Sequence, residues 1–157
     1  MKSEGMSPIV QTIAGILFPV VIIFSFYVIM HGHLTPGGGF QGGAIGASAV
    51  AMLIVALGAK KINDMVGEEG ISSFESIGGL VFVIIAILGL FMATTFLSNF
   101  LVGDTIFGKI PPFGSNSGIL NSGGILPLLN IAVGMKVIGG LSAVVLVMAL
   151  ATKEEKK

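Results

Sequence analysis

"IVQTIAGILFPVVIIFSFYVIMHGHLTPGGGFQGGAIGASAVAMLIVALGA", residues 9–59, consists of two apolar runs separated by a short glycine-rich segment. The first run covers Ile9–Met30 and the second covers roughly Phe40–Ala59, and neither contains a charged residue. Each run has about the 20 residues that a helix needs to cross a hydrocarbon core about 30 Å thick. The stretch therefore predicts two membrane-spanning helices joined by an irregular junction.

Two further apolar runs follow, over Ile77–Leu97 and Ile125–Ala151. The 157-residue chain is 54% hydrophobic and only 10% charged, whereas soluble domains have about a quarter of charged residues. Short alternating segments, which are typical of membrane β-barrels, are missing. We predict an all-α integral membrane bundle of four transmembrane helices, with a Gly-rich helix junction after helix 1, as a single domain over residues 1–157.

The lysines predict the orientation of this bundle in the membrane. Six of them share one side if four helices bring both termini together, and the other side has only Lys109. Lysine-rich loops face the cytoplasm in most membrane proteins. We therefore expect a multi-pass protein of the cytoplasmic membrane with both termini in the cytoplasm. The six lysines are Lys2, Lys60, Lys61, Lys153, Lys156 and Lys157.

Composition also excludes several classes of function. The net charge is zero, and the chain has no basic patch of the kind that binds nucleic acid. It contains no cysteine, which excludes disulfides, thiolate metal sites and iron–sulfur ligation. No G-x-S-x-G or H-E-x-x-H motif is present. We expect no catalytic residues and no cofactor in this chain.

Small residues recur at helical spacing within the apolar runs. Gly42 and Gly46 form a G-x-x-x-G pair on the second helix, and Ala86 and Gly89 lie one turn apart on the third. Such faces let membrane helices pack closely. Because four helices offer few places to bury all of these faces, we expect other membrane subunits as partners.

Lys136 is the one charged residue deep inside a predicted span. It lies eleven residues after Ile125 and fifteen before Ala151, or about 16 Å and 22 Å from the two ends. Its side chain reaches only about 6 Å, and an ionised lysine at such depth costs ~2.5–3.5 kcal/mol. Lys136 is therefore predicted to face protein or a hydrated cavity.

The spacing places no acidic residue beside Lys136, because Glu75 is predicted at the mouth of the third helix. A charged Lys136 then needs a partner from another subunit, or water and backbone carbonyls. Two roles stay open for this lysine, a step in an ion path and a packing contact across an interface. Asn130, on the same helix, is expected to make an inter-helix hydrogen bond.

The junction between helices 1 and 2 permits three interpretations. Gly37, Gly39 and Gly42 match G-x-G-x-x-G, but no strand precedes them, as a dinucleotide site requires. His31 and His33 are two potential metal ligands without a third. The favoured interpretation is architectural, a break at a helix junction that packs against a partner or lines a hydrated vestibule.

In the architectural interpretation, Pro36 ends the first helix and the glycines allow close backbone approach. Phe40 is expected to anchor the segment, and Gln41 to bond to freed backbone groups. The complete junction comprises His31, His33, Pro36, Gly37, Gly38, Gly39, Phe40, Gln41, Gly42 and Gly43.

"HGHLTPGGGFQGGAI" (31–45) resembles the signature of the MnhB/MrpB-type subunit of multisubunit Na+/H+ antiporters. "SGGILPLLNIAVGMKVIGGLS" (122–142) is similar to the fourth helix of that family, including Asn130, Gly134 and Lys136. The resemblance covers essentially the whole chain. Gln41 departs from the pattern, because an aliphatic residue is frequent at that position.

The resemblance implies a non-catalytic membrane subunit in a module that exchanges Na+ for H+ and assembles from several membrane subunits. Similar modules occur in membrane-bound hydrogenases and sulfur-reducing respiratory complexes, which is the first alternative. In the large subunits of such modules, intramembrane Lys and Glu residues are paired. Because no acidic residue is predicted beside Lys136, we expect that this chain does not translocate protons alone. A purely structural helix bundle is the alternative of another class.

Overall fold

A computed structural model describes residues 5–111, 116 and 118–154. Lys2, Lys156 and Lys157, three of the lysines behind the predicted orientation, lie outside the described residues. The described chain is helical, with an irregular segment between the last two helices. Its helices are α1 (Pro8–Met30), α2 (Gly39–Leu57), α3 (Ala59–Met65), α4 (Gly67–Ala93) and α5 (Leu126–Glu154).

Four of these helices, α1, α2, α4 and α5, are long and apolar enough to cross a membrane. The predicted all-α class with four spans is therefore confirmed. α1 begins at Pro8. Proline has no backbone N–H, and it is favourable here because an N–H in the first turn of a helix has no intrahelical acceptor. α2 ends at Leu57 because Gly58 takes a φ of 92°, a conformation that favours glycine.

The third span differs from its predicted limits of Ile77 and Leu97. It begins ten residues earlier, at Gly67, and ends at Ala93, where Thr94 has a φ of 68°. Glu68 and Glu69 occupy the first turn, where negative charge interacts favourably with the helix dipole. Hydropathy marks where a helix meets lipid, so it does not detect these first polar turns.

The spans form an open arrangement rather than a ring. α2 packs against both α1 and α5, and α5 packs against α4 on its other side. α1 also touches α5, where the side chain of Ile29 fits over Gly134. Among these described helices, α1 and α4 do not pack against each other. The order across the molecule is therefore α1, α2, α5, α4, with short α3 beside the ends of α2, α4 and α5.

The small residues of α2 pack against other helices of the same chain. A Cβ at Gly42 would lie 2.5 Å from Ile29 Cγ1, and one at Gly43 would lie 2.7 Å from Val137 Cβ. The Ser25 hydroxyl donates a buried hydrogen bond of 2.7 Å to the carbonyl of Gly42. Close packing of α2 on α1 and α5 fills these faces. The prediction that they await partner subunits is wrong for this helix.

The small face of α4 is likewise covered by the chain itself. Ala86 is buried, and a Cβ at Gly89 would lie 2.7 Å from the backbone nitrogen of Ser98. The segment that follows α4 folds back over this face. The surface that remains open is instead made of large apolar side chains, such as Ile23 on α1 and Phe91 on α4.

Candidate functional site

An ion pair joins α4 and α5 on one face of the chain. Lys136 Nζ donates to Glu75 Oε1 at 3.1 Å. Lys136 is ten residues into α5 and Glu75 eight residues into α4, or about 15 Å and 12 Å from the helix starts. Because the two helices run antiparallel, these positions meet well inside the span.

The counter-charge of Lys136 therefore comes from its own chain. The prediction of a partner from another subunit, or of water and carbonyls alone, is wrong on this point. It placed Glu75 at the mouth of a helix beginning at Ile77, whereas α4 begins at Gly67 and places Glu75 in its third turn. The sequence-based prediction therefore missed an acid that contacts Lys136.

Glycines bring α4 and α5 close enough for this pair to form. A Cβ at Gly78 would lie 2.7 Å from the backbone nitrogen of Lys136, and one at Gly139 would lie 2.8 Å from Glu75 Cβ. Real Cβ atoms do not approach so closely, so both positions require glycine unless the helices separate. Gly140 continues this face, and a Cβ there would lie 3.4 Å from the Glu75 carboxylate.

The ion pair lies on the surface of the isolated chain. The Lys136 side chain is 56% exposed and that of Glu75 is 34% exposed. An ammonium has three donors and a carboxylate about four acceptor sites, and the described residues use one of each. Lipid tails offer no hydrogen bonds. A partner protein, water or both must therefore cover this face.

The junction after α1 is a compact turn followed by a glycine cap. The carbonyl of His31 accepts hydrogen bonds from the N–H groups of Leu34 and Thr35, and the His31 ring stacks on Tyr27 with centroids 4.0 Å apart. Gly38 precedes the first turn of α2 with a φ of 121°, a conformation that a β-carbon would strain.

Asn130 of α5 meets this junction. Its side-chain oxygen accepts a 3.4 Å hydrogen bond from the N–H of Gly39. A Cβ at Gly32 would lie 2.6 Å from the Asn130 amide nitrogen, and one at Gly38 would lie 3.3 Å from its oxygen. The glycines therefore make room for the Asn130 amide, which bonds to the start of α2. This contact brings together the junction and α5, although Gly39 and Asn130 are 91 residues apart in sequence.

His33 packs under the loop that leads into α5. Its ring carbon Cδ2 would lie 3.2 Å from a Cβ at Gly123, and neither ring nitrogen has a hydrogen-bond partner among the described residues. Asn99 holds this loop by donating to the Gly123 carbonyl and accepting from the Ile125 N–H. Within the described part of the chain, no three His, Asp or Glu residues could together hold a metal ion.

Two junction residues differ from their expected roles. Phe40 is 64% exposed, so its ring does not anchor the segment within this chain. Gln41 is exposed, and its side chain makes no hydrogen bond to the described residues. Both side chains point outward at the start of α2, toward lipid or a partner, while Pro36 and Gly37 form the exposed edge of the turn.

The residues of this site match a known family. A domain family described as related to the MnhB subunit of Na+/H+ antiporters matches residues 9–143. The chain belongs to this family. The match covers all of α1 except Pro8, the junction, α2, α4 and the part of α5 that bears Asn130 and Lys136.

Two relatives are similar in sequence to this MnhB-family chain. It is 33% identical to an uncharacterized protein of Methanocaldococcus jannaschii over 138 residues, which are 87% of this chain and 50% of the relative. It is 29% identical to an Na+/H+ antiporter subunit of Bacillus subtilis over 106 residues, which are 68% of this chain and 71% of the relative. The MnhB-family chain thus spans half the length of the archaeal relative.

A solved structure resembles the MnhB-family chain as well. A chain of the membrane-bound sulfane sulfur reductase, an archaeal respiratory membrane complex, superposes with a TM-score of 0.67 at 30% sequence identity. The match covers 94% of this chain and 60% of that chain. Antiporter subunits and a chain of a respiratory complex therefore share this fold.

Sequence reasoning missed Glu75 as part of the site. The available signal was the spacing of Glu68, Ser72 and Glu75, which recur at i, i+4 and i+7 ahead of the apolar run. This spacing is typical of one helix face, and it would have extended the third helix toward its N-terminus.

Proposed function

We propose that this chain is a non-catalytic membrane subunit of a monovalent cation/proton antiporter module, in which it helps to form the ion path and to assemble its partners. Membership of the MnhB family supports this function, as does the similarity to a Bacillus subtilis protein named for Na+/H+ antiport. Na+ and H+ are the proposed transported ions of the whole module. Its other membrane subunits are the proposed partners.

The observation that carries this proposal is the exposed ion pair within the span. A lone helix bundle surrounded by lipid would leave Lys136 and Glu75 with unfilled hydrogen-bonding capacity at a depth where charges are costly. Charged groups inside membrane spans face protein or water and mark ion pathways. The pair is therefore the proposed ion-path element, and its face is the proposed contact with a partner subunit.

A second candidate is the same role within a redox-driven ion-pumping complex. The similarity to a chain of the sulfane sulfur reductase favours it. In either complex, we propose that this subunit is not an enzyme by itself and binds no cofactor, since it lacks the cysteines that iron–sulfur clusters require. Its termini are proposed to lie in the cytoplasm, the side of Lys60 and Lys61.

The proposal is tested by Lys136→Ala in the full complex, with Lys109→Ala as a control at an exposed loop position. We expect Lys136→Ala to impair Na+-coupled proton movement in sealed vesicles while the subunits still co-purify. Normal transport in this variant would remove Lys136 from the mechanism. If Lys136→Ala prevents assembly, and no assembled but inactive complex can be isolated, the purely structural bundle is supported instead.

A further inference from the structure

The first turns of α4 carry polar residues along one face. Glu68, Ser72 and Glu75 follow one another at i, i+4 and i+7, which places them on one side of the helix. The side chains of Glu68 and Ser72 are exposed, and the carboxylate of Glu75 contacts Lys136. A polar line therefore runs from the α3 end of the chain to the ion pair.

An open polar cavity lies at the start of this line. It has a volume of about 450 Å³ and is lined by Glu68, Glu69, Ser72 and Ser73. Two further cavities that touch α4 are apolar and line a different side of the helix, around Phe74. The polar surface that water can follow therefore lies on the side of α4 away from Phe74.

The same face stays open beyond Glu75. Gly79 is the next residue of the line, at i+4 from Glu75, and a Cβ there would meet nothing within 4 Å. Gly140 on α5 leaves the Glu75 carboxylate uncovered by any larger side chain on that helix. No bulky side chain of the described chain therefore closes this surface around the pair.

We propose that the face formed by Glu68, Ser72, Glu75 and Gly79 is one wall of a hydrated access path that leads monovalent cations or protons from the α3 end to Lys136. A partner membrane subunit supplies the opposite wall. Water along this face satisfies the hydrogen-bonding capacity that lipid cannot, and the carboxylates concentrate cations at the opening. The inference rests on the proposed function and adds the direction from which the site is reached.

The absence of cysteine from this chain permits a direct accessibility test in the full complex. Gly79→Cys places a thiol on the proposed path, and Ile77→Cys places one two residues away on the opposite side of the helix, where Ile77 is 50% exposed. Complexes in sealed vesicles are treated from either side with a membrane-impermeant cationic methanethiosulfonate. Labelling of this chain is then followed by its increase in mass in a mass spectrometer.

We expect Gly79→Cys to react from the α3 side, and Ile77→Cys to react at least about tenfold more slowly. The cationic reagent should react about tenfold faster than an anionic analogue, as in a cleft lined by negative charge. Ser72→Cys should react from the same side and with the same preference for the cationic reagent as Gly79→Cys. If Gly79→Cys does not assemble, Ser72→Cys against Phe74→Cys makes the same comparison.

Equal labelling of the paired positions, or no labelling of either path position in assembled complexes, would overturn the access path. Labelling requires no transport, so this result is separate from that of the Lys136→Ala experiment. Loss of transport in Lys136→Ala together with unlabelled path positions would leave the ion-path role standing and reject only the route along α4. Normal transport in Lys136→Ala together with labelled path positions would keep the hydrated face and reject the transport role.

Discussion

At the level of single residues, the 3.1 Å contact between Lys136 and Glu75 determines what substitutions there can do. Each charge is compensated mainly by the other, because the remaining neighbours on this face include Gly78, Gly139 and Gly140. Removing one partner of an ion pair leaves the other charge uncompensated, whereas removing both leaves no unpaired charge. Single and double variants therefore separate stability from transport.

We predict that Lys136→Met and Glu75→Gln each lower the thermal stability of the assembled complex, and that the double variant loses less than the sum of the two. The melting temperature of the purified complex measures this effect. In the double variant, thermal stability should recover while Na+-coupled transport stays absent. Recovery of transport along with thermal stability would show that the pair is structural only, and strictly additive losses would show that the two residues act independently.

Asn130 acts at the other end of the site, through its hydrogen bond with the N–H of Gly39. Asn130→Ala should cost about 1 kcal/mol, the typical net contribution of such a bond, and should lower the melting temperature of the complex. Asn121→Ala, at an exposed position, is the matched control. A melting temperature unchanged in Asn130→Ala would show that the junction does not depend on this amide.

At the level of helices, the close approach of α4 and α5 depends on a few glycines. Gly78→Ala would place a methyl group 2.7 Å from the backbone of Lys136, whereas Gly79→Ala would meet open space. We predict that Gly78→Ala reduces both assembly and transport because it separates α4 from α5 and so lengthens the ion pair. Gly79→Ala should assemble as the native protein does. Equal effects of the two alanines, measured by co-purification, would contradict this packing argument.

The junction before α2 allows a similar comparison. Gly38→Val combines a φ of 121° with a Cβ position 3.3 Å from Asn130 Oδ1, and we predict that it weakens assembly or transport strongly. Pro36→Ala should have a smaller effect in the same direction, since Pro36 is exposed. Intact assembly and transport in both variants would show that the junction is only a connection.

The helices also show which features the sequence predicts. The sequence predicts the four apolar runs because lipid contact requires apolar residues. It predicts the junction because a tight chain reversal requires glycine and proline. The start of α4 is not marked by hydropathy, because Glu68 and Glu69 belong to a helix but not to the apolar part of the span. That one difference of ten residues concealed the partner of Lys136. The contact of Asn130 with the junction depends on the order of helices in space, which no local pattern contains.

At the level of the whole molecule, the open order α1, α2, α5, α4 leaves wide apolar surfaces uncovered. Ile16 on α1 and Phe91 on α4 are among the exposed large side chains. Because the glycine faces are filled within the chain, contacts with partners must use these larger side chains and the face of the ion pair. The sequence predicts partners from the small-residue faces of several helices, whereas the structure fills the face of α2 within the chain.

We predict that gentle solubilisation of the native complex co-purifies this chain with further membrane subunits, which mass spectrometry identifies. An attached arm containing nickel–iron or iron–sulfur centres would favour the respiratory complex over the antiporter. A stable monomer with the ion pair exposed to detergent would contradict the assembly role. Expression of this chain alone, without its partners, provides the comparison sample.

The position of α5 between its neighbours gives it a mechanical role. Asn130 holds the α1–α2 connection and Lys136 holds α4, and six residues, about 9 Å of helix, separate them. A hydrogen-bonded helix behaves as a stiff rod over so short a length, so a shift of its outer end is transmitted to the amine with little loss. A neighbouring protein that displaces the α1–α2 connection would thereby move the charge of Lys136.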